Sequence, residues 1–194
     1  MKKNLLFFLI FFSLLANLCA EAEAQAISGG GGGGAVTQSG TWINTGQAAS
    51  ISVTPTVTAT TYANGYVLGG LQTLTGAGRS SGLATYLQNV TVTSKGGQTA
   101  PMYIMVFNAN PSSSTFTDDA AISVNSNDVT KIAAVIPIST WYSGGTATAA
   151  FVPNLVANMT PGSSTTLYAV AVTMGTPTLA STSDLTFLYG FTQN

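Results

Sequence analysis

Eight stretches of this chain alternate apolar with small polar residues or run apolar outright, and none holds a sustained helical period. A period of two sends successive side chains to opposite faces of a strand, whereas a helix repeats its apolar positions every three to four residues. "ASISVTPTVTATT" (49–61) sets Ile51, Val53 and Val57 against Ser and Thr. "GYVLGGLQTL" follows the turn pair Asn64-Gly65. "ATYLQNVTVTSK" and "TAPMYIMVFN" flank Gly96-Gly97, a spacing that predicts a hairpin. "KIAAVIPIS", "TATAAFVPNLV", "TTLYAVAVTM" and "SDLTFLYGFT" complete the set. Pro55 has no N–H for a ladder, so the first stretch is an edge strand or changes partner there. Parallel βαβ units need helices between their strands, and no stretch supplies one. At most "SNDVTK" forms one short turn, capped by Ser126 or Asn127. The expectation is an all-β, antiparallel β-sandwich of about eight strands, with jelly-roll wiring.

The stretches begin only after a different kind of sequence. Lys2 and Lys3 open the chain, a mostly apolar run from Leu5 to Leu18 follows, and Ala20, Ala22 and Ala24 offer small residues for cleavage. This is the layout of a secretory signal peptide over 1–24, and the apolar run is short for a membrane span. A bulky Leu18 before Cys19 argues against lipidation. Gly29 to Gly34 are six consecutive glycines, costly to order and with no Lys-Ser/Thr after them, so 25–40 reads as a flexible tether rather than a phosphate loop. That leaves 41–194 for the sandwich domain, exported and with no membrane attachment once the signal is cleaved.

Removing the signal also changes the inventory of reactive groups. Beyond Ala24 the chain keeps Asp118, Asp119, Asp128 and Asp184 as its acids and Arg79, Lys95 and Lys131 as its bases, with no Glu, His or Cys. Triads built on His or Cys are excluded, zinc, copper and iron sites lose their usual ligands, and disulfides cannot stabilise the fold. Three basic residues do not make a phosphate-binding patch, which excludes nucleic acid as a partner. A Ser-Lys dyad remains formally open, but no serine stands out.

The acids concentrate in "NANPSSSTFTDDAAISVNSNDVTKI", residues 108–132. A two-carboxylate glycosidase needs two acids at a set separation; Asp118 and Asp119 are neighbours that point apart in an extended chain, which leaves Asp128 with Asp184. Calcium accepts carboxylate and amide oxygens, so Asp118, Asp119, Asn125, Asn127 and Asp128 are its candidate ligands, although EF-hand spacing, a central Gly and a bidentate Glu are missing. The preferred reading is turn chemistry, since Asn, Asp and Ser satisfy nearby backbone groups. Aromatic residues near turns give a second set of candidates. Trp42, Trp141 and Tyr142, with Tyr62, Tyr66 and Tyr86, either stack on sugars or a partner or, by the favoured reading, cap the core. Asn89-Val-Thr and Asn158-Met-Thr fit the glycosylation pattern, which matters only in a eukaryotic secretory host, and the signal looks bacterial.

"NANPSSSTFTDDAAISVNSNDVTKIAAVIPIS" and, later, "LYAVAVTMGTPTLASTSDLTFLYGFTQN" carry a resemblance. They resemble a family of small virion structural proteins of tailed phages, as does the opening "SVTPTVTATTYANGYVLGGLQTL". The likeness covers Ser50 to Asn194. It implies a β-rich component of a capsid or tail surface, without catalytic residues, that meets copies of itself in a closed oligomer such as a trimer and also meets other particle proteins. Members of the family start near the position of Ser50, whereas a signal and a polyglycine tether precede it here, which suits an exported relative or a domain reused at a cell surface. The alternative from a different class is a secreted carbohydrate-binding module or adhesin for a surface glycan; a hydrolase ranks third.

Overall fold

Strand-forming alternation becomes strand at each of the eight expected places in the structure, a computed structural model that describes residues 47–194. The expected signal (1–24), the tether (25–40) and Trp42 lie outside the described residues. The elements are β1 (Gln47–Val53), β2 (Val67–Leu74), β3 (Thr85–Ser94), β4 (Met102–Phe107), a one-turn helix α1 (Ser126–Val129), β5 (Ile132–Ile138), β6 (Tyr142–Ser143), β7 (Thr148–Val152), β8 (Ala157–Met159), β9 (Leu167–Thr173) and β10 (Leu185–Gln193). Every strand pairing is antiparallel.

The strands form two sheets. The larger runs β1-β10-β3-β7-β6, with β8 also on β3, and the smaller runs β2-β9-β4-β5. Except for β4 and β5, which pair with each other, successive major strands alternate between the sheets, so β1 and β10 pair in one while β2 and β9 pair in the other. This is jelly-roll wiring, the form in which two Greek keys close over one core. The count of ten rather than eight has a local cause. β7 and β8 pair with the same edge of β3, at Val90–Ser94 and Thr85–Leu87, and are one strand broken between Val152 and Ala157. Pro153 has no N–H for the ladder, and Asn154 and Val156 take positive φ of 56° and 44°. The two-residue β6 is the other addition.

The Gly96-Gly97 hairpin is not formed. β3 belongs to the larger sheet and β4 to the smaller, so this turn carries the chain across the sandwich. Its partner is the segment before β10: Lys95 N–H donates to the Asp184 carbonyl at 3.0 Å and Gly96 N–H to Asp184 Oδ1 at 2.9 Å. Gly-Gly signals a tight turn but does not choose which strand pairs next. Pro55 behaves as expected. β1 is an edge strand that ends two residues before it, and the chain then crosses to the smaller sheet. The crossing needs Gly69, at φ +72°, because a Cβ there would stand 2.3 Å from Pro55 Cβ.

The core lies between the sheets. Leu87, Val90 and Val92 of β3 with Leu185, Phe187 and Tyr189 of β10 face Leu68, Ile104, Ala171 and Ile136 from the opposite sheet. Burying one such Leu, Val or Phe contributes about 1.5–3 kcal/mol, which replaces the disulfides this chain cannot form. One polar tie crosses the core: the Tyr189 hydroxyl donates to Gln72 Oε1 at 2.8 Å, and burial keeps that phenol protonated.

Candidate functional site

The acidic stretch is a cover laid over the smaller sheet. Leaving β4, the chain runs along the free edge of β2, where Val67 N–H donates to the Ala120 carbonyl, Asp119 N–H to the Val67 carbonyl and Ile122 N–H to the Gly65 carbonyl, at 2.9, 3.0 and 2.9 Å. An unpaired sheet edge invites pairing with another chain, and this strap covers the start of that edge. Phe116, Ile122 and Val124 then pack on Val67, Phe107, Val170 and Val172, the outward residues of the smaller sheet, and form a second apolar cluster. The Phe107 and Phe116 rings meet at 5.8 Å between centroids.

The carboxylates fasten this strap and the loops around it. Asp118 accepts from Thr58 N–H at 2.8 Å, Thr58 Oγ1 at 2.7 Å, the Tyr62 hydroxyl at 2.8 Å and Gly69 N–H at 2.6 Å. Burial, then the bond to Asp118, raises the Tyr62 phenol well above its ordinary range, so it remains a donor. Asp119 has φ +55°, a conformation that Asp tolerates better than most residues. Asp128, buried at the far end of the strap, accepts from Lys131 Nζ and Ser114 Oγ, both at 2.7 Å. Burial alone would raise its pKa; the Lys131 and Ser114 bonds outweigh it and hold the carboxyl below the usual range. Asp184 is buried beneath the Gly96 turn and accepts from Ser94 Oγ, Gly96 N–H and Ala180 N–H at 2.7, 2.9 and 2.7 Å. There too burial pushes upward, and the backbone and serine donors prevail.

The five proposed calcium ligands therefore have separate tasks. Asp118 and Asp128 hold different partners, and Asn125 Oδ1 accepts from Asn127 N–H at 3.0 Å as the cap of α1, so the cap is Asn125 rather than Ser126 or Asn127. Among the described residues no cluster of three or more acidic, His or Cys side chains is close enough to hold a metal. A glycosidase general acid needs a carboxyl held above its ordinary range, and both Asp128 and Asp184 are held below it.

The aromatic candidates divide. Tyr62 is fully buried, and Trp141 and Tyr66 pack against the main core, as caps of its ends. Tyr142 is different: it is 65% exposed, on β6 at the margin of the larger sheet. It stands beside a hollow of about 430 Å³ lined by Thr93, Lys95, Ala149 and neighbouring residues, with no carboxylate among them.

The larger sheet's outer face is a feature that sequence reading missed. Pairing and alternating burial place Ala48, Ser50 and Ser52 of β1, Thr186, Leu188, Gly190 and Thr192 of β10, Tyr86, Asn89, Thr91 and Thr93 of β3, Ala149 and Phe151 of β7 and Tyr142 of β6 on it. None carries a charge. Phe151 and Leu188 are 51% and 39% exposed, and the Asn89 and Asn158 sequons also lie on this side. The signal was present as Thr-rich alternation, but only strand order brings these positions together. No protein family and no curated protein matches the chain.

Proposed function

We propose that this chain is a non-enzymatic surface-assembly module, exported and self-associating, of the kind that its resemblance to tailed-phage virion structural proteins implies. The observation that carries this reading is the contrast between the sheets. A strap tied down with carboxylates covers much of the smaller sheet's outer face and leaves Val135 of its edge strand exposed, while the strand residues of the larger sheet's outer face carry no charge, have no such cover and expose Phe151, Leu188 and Tyr142. Exposed apolar groups that form a patch mark interaction surfaces, and a face without charges offers a second protein surface little electrostatic resistance. The acids that chemistry would require are occupied as hydrogen-bond acceptors within the fold.

A glycan-binding reading has one specific observation in its favour, the exposed Tyr142 ring beside a hollow that also includes Lys95. Rings in this position stack on sugar faces. Static light scattering over a concentration series separates the two. The assembly reading expects, for the protein without residues 1–24, a mean mass that rises with concentration above that of one chain. A constant single-chain mass together with saturable binding of a soluble polysaccharide would replace it with the glycan reading.

A further inference from the structure

We infer that the outer face of the larger sheet is where a second copy of this chain docks, about a two-fold axis, with Phe151 of each copy seated in the hollow over Ala149 of the other. The inference rests on the assembly reading and adds its surface and partner. Cross-strand register gives the face its relief. Phe151 pairs with Thr91, which pairs with Leu188, so one row across three strands is a ridge. The next row along the same strands is Ala149, Thr93 and Thr186, all small, with Tyr142 beyond Ala149 as a wall. The hollow of about 430 Å³ lies at the Thr93–Ala149–Tyr142 end of this row. Ridge and trough are thus adjacent, roughly 7 Å apart for two residues of strand.

A face with a ridge beside a trough is complementary to itself. A two-fold axis in the plane of the face, parallel to the rows and midway between them, puts the ridge of one copy over the trough of the other. Phe151 and Ala149 share β7, so the axis aligns them without sideways displacement. The operation also leaves the strands of the facing sheets close to aligned, the usual geometry for stacked sheets. Strands of two to ten residues, about 3.3 Å per residue and about 4.8 Å apart, give a face of roughly 550 Å², so about 1,100 Å² over both partners, just above the ~1,000 Å² that a specific interface needs. The strand residues of the face carry no charge, and Lys95, which lines the hollow just past the end of β3, is exposed on a long side chain that keeps its ammonium in water when Phe151 docks.

Sedimentation velocity on the purified chain, with variants, tests this. Phe151→Lys and Ala149→Trp are each expected to raise the dimer Kd by about 100-fold or more, as for a central anchor and its socket. Thr73→Lys, exposed on the other sheet, is expected to leave Kd unchanged. Circular dichroism checks that each variant is folded, and Phe151→Ser gives the same reading without a buried charge should the lysine variant fail. Association of the parent and equal association of the Phe151 and Ala149 variants would overturn the face while leaving assembly standing. A parent that stays monomeric to roughly 100 μM, where a micromolar interface is saturated, would overturn both.

Discussion

Asp184→Ala is expected to lower the melting temperature at neutral pH by about 10 °C or more, a fall of roughly 4 kcal/mol at the 2–4 °C per kcal/mol typical of this chain length. The carboxylate is buried and holds Ser94 Oγ, Gly96 N–H and Ala180 N–H. Truncation leaves all of these without an acceptor where water has little access, at about 1–3 kcal/mol for each buried orphan. The turn it fixes connects β3 to β4 and lies against the start of β10, so the damage reaches both sheets. Asp184→Asn retains one acceptor oxygen but turns an NH₂ toward the remaining donors, and an intermediate fall is expected. Differential scanning calorimetry measures both. A shift of less than about 3 °C for the alanine variant, near 1 kcal/mol, would show that the turn holds without the carboxylate.

Asp118→Ala is expected to act locally. Its carboxylate gathers Thr58, Tyr62 and Gly69 under the strap, but it is only half-buried, so water can replace part of what is lost. The strap should therefore open more often while the sandwich stays closed. Hydrogen exchange at the amides of Val67, Asp119 and Ile122 is expected to accelerate by roughly 10–100-fold, the signature of a local opening that has become easier by about 1.4–2.8 kcal/mol. Amides of β3 and β10, in the middle of the larger sheet, should keep their protection. Equal acceleration in both places would mean that the strap is part of the global folding unit. No acceleration would mean that Phe116, Ile122 and Val124 hold the strap by packing alone.

The strands were legible because their physics is local. Ile51 and Val53 alternate with Ser and Thr because one face of β1 meets the core and the other does not, and the same logic located the other seven stretches. Partner choice was not legible. Gly96-Gly97 marks a turn equally well within a sheet or between sheets, and the deciding groups, Asp184 and Ala180, lie more than eighty residues away. Pro153 was visible as a donor that β7 lacks, but the resumption of pairing as β8 depends on Asn154 and Val156 taking positive φ, which no short-range preference of Val would suggest. The acidic stretch forms the short turn that its Asn, Asp and Ser suggest, but the cap is Asn125, one residue before the earlier of the two expected, because its Oδ1 reaches Asn127 N–H. That it roofs a sheet was hidden, because Phe116, Ile122 and Val124 are too widely spaced to announce an apolar face. The uncharged face of the larger sheet was hidden for the same reason, since its residues come from strands scattered along the chain.

The central proposal is that Asp118, Asp128 and Asp184 hold loops in place rather than perform chemistry, which leaves the outer surface to do the protein's work. An NMR titration of the aspartate carboxyl carbons tests it most directly. Asp128 and Asp184 have folded-state pKa values below the ordinary carboxylate value, so each favours the native state at pH above about 4, and that contribution is lost as pH falls through the folded pKa. The account predicts that both titrate below the ordinary range and that the melting temperature falls as they protonate. A carboxyl at either position that titrates above the ordinary range, with stability unchanged or rising as it takes up its proton, would be the poised acid of a catalytic site and would contradict it.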